Sequence, residues 1–184
     1  HLTNILLHGL NAALLYLIAR RLISAALGRA VDRTIEIGAM AAALFFSLHP
    51  LRVESVAWIT ERRDVLSAAF LLGALLAYLR ACTSGSVRWI WCALGLLLAS
   101  LLSKAWGMSF FVLLLVIDWY PLRRLPSAPW RWVAPSARNV LLEKIPFAAL
   151  RFVRRLPGGA RGVALRLQNW GRFNVYSIYR QLSR

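Results

Sequence analysis

Five stretches of this chain are almost wholly apolar, and the polar residues are crowded into the short gaps between them. The first runs from about Ile5 to Leu27 and is interrupted late by Arg20 and Arg21. The second runs from Ile35 to Leu48, the third from Val65 to Leu79, the fourth from Trp89 to Leu102 and the fifth from Ala105 to about Ile117. A helix needs roughly 20 residues to cross about 30 Å of hydrocarbon, and several of these runs are shorter. Arg80, Arg88, Trp89, Trp91, Trp119 and Tyr120 stand at their ends, where long or amphipathic side chains extend a span into the interface. Gly28–Arg33, Thr83–Ser86 and Ser103–Lys104 are connections of helical-hairpin length. The pattern predicts an all-α, polytopic transmembrane helix bundle of about five to six spans. Residues 1–122 form its core and residues 123–138 a cytoplasmic loop rich in proline, tryptophan and arginine. Residues 139–184 form a partial span, broken up by Glu143, Lys144, Pro146 and Arg151, followed by a basic interfacial tail.

Composition supports the membrane class. Of 184 residues, 59% are hydrophobic and only 16% charged, which is too apolar for an ordinary soluble domain. The net charge of +16 raises the possibility of nucleic acid, but the arginines sit at the ends of apolar runs rather than on one polar face. No nucleic-acid partner is expected. One set of span ends carries Arg20, Arg21, Arg29, Arg33, Arg80, Arg88, Arg123 and Arg124; the other carries Arg52, Arg62, Arg63 and Lys104. The more basic side is expected to be cytoplasmic. The Ala/Leu/Arg-rich usage points to a bacterial inner membrane, with the 49–64 stretch in the periplasm. The chain opens with His1 and has no signal-peptide pattern, so it is expected to be part of a longer protein. Cys82 and Cys92 form no metal or redox motif and are expected to serve packing.

Chemistry, if present, belongs to the segment His49 to Asp64, which holds three of the seven acidic residues. Ionisable groups between spans are costly unless they lie at a wet interface or in a functional cavity. Pro50 suits the first turn of a short helix that would place Glu54, Trp58 and Glu61 on one face. Thr60 would cap the next helix, with Asp64 in its first turn and Arg62 and Arg63 beside it. Such a mixed cluster can hold a phosphate, order a divalent metal at Asp64 or position a sugar hydroxyl; the plainer alternative is an ion-paired, solvated loop. Lys104 is expected at the same face, and Asp118 at the opposite one in a pairing role. His1, Asn4, His8 and Asn11 share one face of the first helix. Interhelical hydrogen bonding is the favoured use of that stripe, and a cavity border the alternative.

Several blocks carry a family resemblance. His1-Leu2-Thr3-Asn4-Ile5-Leu6-Leu7-His8, the run from His49 to Ile59, and Glu61-Arg62-Arg63-Asp64-Val65-Leu66-Ser67 are three of them. Ser103-Lys104, Asp118-Trp119-Tyr120-Pro121-Leu122 and Leu141-Leu142-Glu143-Lys144-Ile145-Pro146-Phe147 are the others. Together, over about residues 1–150, they resemble the membrane region of TPR-containing O-mannosyltransferase-like proteins of the GT-C superfamily. The resemblance implies transfer of a sugar from a polyprenyl-phosphate donor to a protein or glycan acceptor hydroxyl on the luminal or periplasmic side. The family's catalytic carboxylate would lie upstream of His1, so the catalytic base is unknown in this chain. Asp64 matches a second acidic position near the donor phosphate or a metal. Lys104 matches a luminal lysine suited to phosphate contact. Arg62, Arg63, Asp64 and Lys104 are thus the donor-phosphate or substrate-binding candidates, supported by His49, Glu54 and Glu61, with membrane lipid as a further partner. The chain departs from the family at Arg151, Arg154 and Arg155, and the family's C-terminal TPR helices are not expected among its residues. The alternatives are a non-catalytic membrane scaffold and a small transporter using the His/Asn stripe.

Overall fold

The structure, a computed structural model, describes residues 2–50, 62–104, 109–126, 132 and 140–153. Each of the five apolar runs forms a helix: α1 (Leu2–Leu27), α2 (Arg33–Leu48), α3 (Arg62–Ser84), α4 (Val87–Ser103) and α5 (Phe110–Trp119). A further helix, α6, covers Ile145–Val153. Among the described residues there is no strand. The protein is an all-helical bundle, and α1 and α3 are each long and apolar enough to cross a membrane. At 1.5 Å per residue they reach about 39 Å and about 34 Å. The remaining helices α2, α4 and α5 are shorter and need their flanking residues to reach the interfaces.

Local chemistry sets the helix ends. Gly28, at φ 65°, ends α1, and Gly85, at φ 63°, ends α3 with its N–H bonded to the Ala81 carbonyl at 2.9 Å. Both are left-handed positions that glycine takes without a Cβ clash. Asp32 caps α2: its Oδ1 accepts from the Ile35 N–H at 2.9 Å, and its other oxygen lies 3.4 Å from Arg29. Asp32→Ala is expected to cost about 1 kcal/mol, with Asp32→Asn close to neutral. Thermal unfolding in detergent checks both values.

The helices alternate in direction. The start of α1, the end of α2, the start of α3 and the end of α4 therefore meet at one end of the bundle. Side-chain bonds confirm that register. Asn11 donates to the Val65 carbonyl at 3.0 Å, and the His8 Nε2–H to the Ser47 carbonyl at 3.2 Å. Asn4 and Asn11 are buried, so the polar stripe of α1 makes the interhelical bonds expected of it. The α3–α4 contact is the most extensive among the described helices. Buried Ala74, Ala77 and Ala93 let the backbones approach, and Ser67 and Ser100 exchange hydroxyl-to-carbonyl bonds of 3.2 and 2.9 Å. Such bonds contribute about 0.6 kcal/mol each in membrane bundles. Ile18, Leu97, Phe110, Leu114 and Phe147 fill the centre. Leu6, Phe45, Leu48 and Trp91 point outward, as a hydrocarbon surrounding allows.

Two sequence expectations change. Cys82 is partly buried, but Cys92 is exposed on the outer face of α4 and packs no core. Glu143 and Lys144 do not spoil a helical face. They occupy a turn before α6, and Lys144 is directed inward with 1% exposure. The stretch needs no apolar continuity there, because its charges have buried partners.

Candidate functional site

At the first end of the bundle, the opening turn of α3 carries Arg62, Arg63 and Asp64. Asp64 there complements the positive end of the helix dipole. Lys104, the residue just after α4, forms a close ion pair with Asp64. The pair is partly buried, with side-chain exposures of 39% for Lys104 and 18% for Asp64. It links residues 40 apart in sequence across the α3–α4 hairpin. Arg62 reaches over α1, its Nε–H donating to Asn4 Oδ1 at 3.4 Å. Arg63 is exposed to the surroundings. His49 ends α2 and sits edge-on to Phe45, with ring centres 5.3 Å apart. Glu54, Glu61, the Thr60 cap and the short helix at 51–60 lie outside the described residues. Among the described residues no three His, Cys, Asp or Glu side chains come together. Asp64 meets an ammonium rather than a second carboxylate, so the described donors do not by themselves fit a divalent metal. What they offer is a carboxylate that fixes an amine, with two arginines on the same opening turn of α3, a setting that can bind an anionic oxygen.

The opposite end holds a second polar cluster that sequence reading assigned no chemistry. Asp118, fully buried near the C-terminus of α5, receives the Tyr78 hydroxyl at 2.7–2.8 Å and the Lys144 ammonium at 2.6 Å. Arg124 lies 3.5 Å from the same carboxylate and donates to Tyr78 Oη at 2.9 Å, to Cys82 Sγ at 3.2 Å and to Glu143 at 3.0 Å. Lys144 also donates to Tyr78 Oη and rests 4.5 Å from the centre of that ring. A carboxylate at the C-terminal end of a helix opposes the helix dipole, and the two cations offset that cost. Burial works against the charge of Arg124, but Cys82, Tyr78, Glu143 and Asp118 outweigh it and hold its pKa above the usual arginine range. The backbone is built for the same purpose. Arg123 takes a left-handed φ of 51°, and the N–H groups of Arg124 and Leu125 both bond to the Asp118 carbonyl, at 2.8 and 3.2 Å. The signal was present in the sequence. Asp118 and the Glu143-Lys144 pair are charges set in apolar surroundings, and such charges need partners. Their opposite signs could have suggested each other.

Comparison with known proteins places these two ends in context. No family model matches the chain, and no solved structure does. Protein O-mannosyl-transferase tmtc2 of Xenopus laevis is 29% identical over 130 residues, covering 68% of this chain and 14% of that protein. Protein O-mannosyl-transferase Tmtc1 of Drosophila melanogaster is 30% identical over 113 residues, covering 61% and 12%. The chain thus spans about an eighth to a seventh of the length of these curated relatives. Both come from animals, which lends nothing to the bacterial assignment. Over roughly two thirds of its length, this helical membrane bundle is similar to a small part of two protein O-mannosyl-transferases.

Proposed function

We propose that the chain forms part of the membrane region of a GT-C-type glycosyltransferase that moves a sugar from a polyprenyl-phosphate donor to a hydroxyl of a protein or glycan. The observation that carries the proposal is the Asp64–Lys104 ion pair at the bundle end where Arg62 spans to Asn4. The likeness to two O-mannosyl-transferases supports it. As the sugar leaves, negative charge remains on the polyprenyl phosphate. Lys104, oriented by Asp64, and the guanidiniums of Arg62 and Arg63 neutralise that charge. A base that accepts the proton of the attacking hydroxyl completes the reaction from outside this chain. The site faces the non-cytoplasmic side, because the opposite span ends carry more arginines.

The test uses membranes holding the longest natural reading frame that contains this chain. They are supplied with radiolabelled sugar as either the polyprenyl-phosphate conjugate or the nucleotide sugar, with synthesis of the lipid conjugate blocked. Label is expected to reach the acceptor only from the lipid-linked donor. Equal transfer from the nucleotide sugar would overturn the proposal.

A further inference from the structure

The arginines at the second end of the bundle are not all consumed by the Asp118 cluster. Arg20 and Arg21 stand in the last third of α1 and Arg80 near the end of α3, the helix packed beside it. Arg21 lies within electrostatic reach of both Arg80 and Arg20. Like charges within reach of Arg21 repel it unless an anion joins them. The described carboxylates do not serve. Asp118 and Glu143 are engaged by Arg124 and Lys144, and Asp32 by Arg29 and its capping bond. Glu36 approaches Arg20 only to 4.0 Å and is itself half exposed. The Nε of Arg20 and one Nη of Arg21 are buried donors with no acceptor among the described residues. A guanidinium N–H left this way has lost its water without gaining an acceptor, so the arrangement calls for an oxygen ligand.

The surroundings specify what kind of oxygen. Arg20 lies 5.7 Å over the ring of Tyr16, and Arg80 lies 5.1 Å over that of Trp89. Tyrosine and tryptophan beside arginine are the residues that gather at the headgroup level of a bilayer. Leu27 and Val87 at the same end are exposed. A ligand here must carry a negative oxygen and tolerate apolar neighbours. We propose that Arg20, Arg21 and Arg80 form a binding site for the phosphodiester of an anionic glycerophospholipid, held between α1 and α3 with its acyl chains along the outer face of the bundle. The site is separate from the Asp64–Lys104 end and does not depend on any sugar-transfer activity.

The experiment reads lipid preference of the full chain in phosphatidylcholine nanodiscs with and without phosphatidylglycerol, by native mass spectrometry of retained lipid. The wild-type protein is expected to retain phosphatidylglycerol about thirtyfold over phosphatidylcholine, the scale of two arginine contacts. Arg21→Gln with Arg80→Gln should abolish that preference. Arg21→Lys with Arg80→Lys, which keeps the charge, should retain much of it. Arg33→Gln with Arg123→Gln removes the same charge from exposed positions outside both proposed sites and should leave the preference intact. Loss in the Arg33/Arg123 variant equal to that in the Arg21/Arg80 variant would reduce the effect to net charge and overturn the proposal. So would an unchanged preference in the Arg21/Arg80 variant. Displacement of the lipid by inorganic phosphate alone would assign the site to free phosphate instead and equally overturn it. Circular dichroism of each variant separates these outcomes from misfolding, and a misfolded glutamine pair leaves the decision to the lysine pair and to phosphate displacement on the wild type.

Discussion

Asp118→Ala is expected to lower the stability of the bundle by about 3–5 kcal/mol, the range seen when one partner of a buried ion pair is removed. The loss comes less from the bond itself than from what it leaves behind. Lys144, at 1% exposure, would keep its ammonium with only Tyr78 Oη and the more distant Glu143, 3.7 Å away. Tyr78 would lose the acceptor of its hydroxyl. Asp118→Asn keeps the shape but not the charge, and is expected to lose less than alanine. The decisive comparison is the double variant Asp118→Leu with Lys144→Met, which removes both charges and fills the space with apolar atoms. It should recover most of the stability that Asp118→Ala loses, because neither buried charge then lacks its partner. Unfolding in mixed detergent micelles measures all three. A double variant no more stable than Asp118→Ala would show that the two residues do not act as a pair.

Asp64→Asn in the natural protein that contains this chain is expected to depress sugar transfer by about 10²-fold, the scale of one lost charge-stabilising contact in a transition state. The substitution keeps the size of the side chain and removes the charge that holds Lys104 in place. Membrane abundance should not change, since the Ser67–Ser100 bonds and the alanine-lined α3–α4 contact stay intact. Lys104→Met should fall by a similar factor, and the two together by little more than either alone, as expected for groups acting as one unit. Lipid-linked radiolabelled donor and a fixed amount of membrane protein give the rates. Full transfer by Asp64→Asn at equal abundance would remove this carboxylate from the proposed site.

The helices were legible because apolar run length and the polar gaps are local properties. Asp32, Gly28 and Gly85 mark ends that follow from capping chemistry and φ alone. The stripe of Asn4, His8 and Asn11 was readable too, since a polar group within a span must find a partner on another helix. The pairing of Asp64 with Lys104 depended on knowing that successive helices reverse direction, which the short connections imply. What remained hidden was the Tyr78–Asp118–Lys144 cluster. Its members come from three separate segments, and Tyr78 looks like any aromatic residue of an apolar helix until its hydroxyl is placed. Pro146 and the paired charges before it suggested a spoiled span, whereas the local turn at 143–144 directs Lys144 into the core. The roles of Glu54 and Glu61 rest on residues outside those described.

Tyr78 and Lys144 are 66 positions apart, and translation delivers them in that order. The α3–α4 hairpin can enter the bilayer while the acid on α5 is still to come. Once made, that acid has Arg124 as the first of its two cationic partners, six residues later, before Lys144 leaves the ribosome. The final closure therefore waits on the segment that carries Lys144, so a nascent protein stalled short of Glu143 would hold its helices in the membrane without the clasp that fastens them.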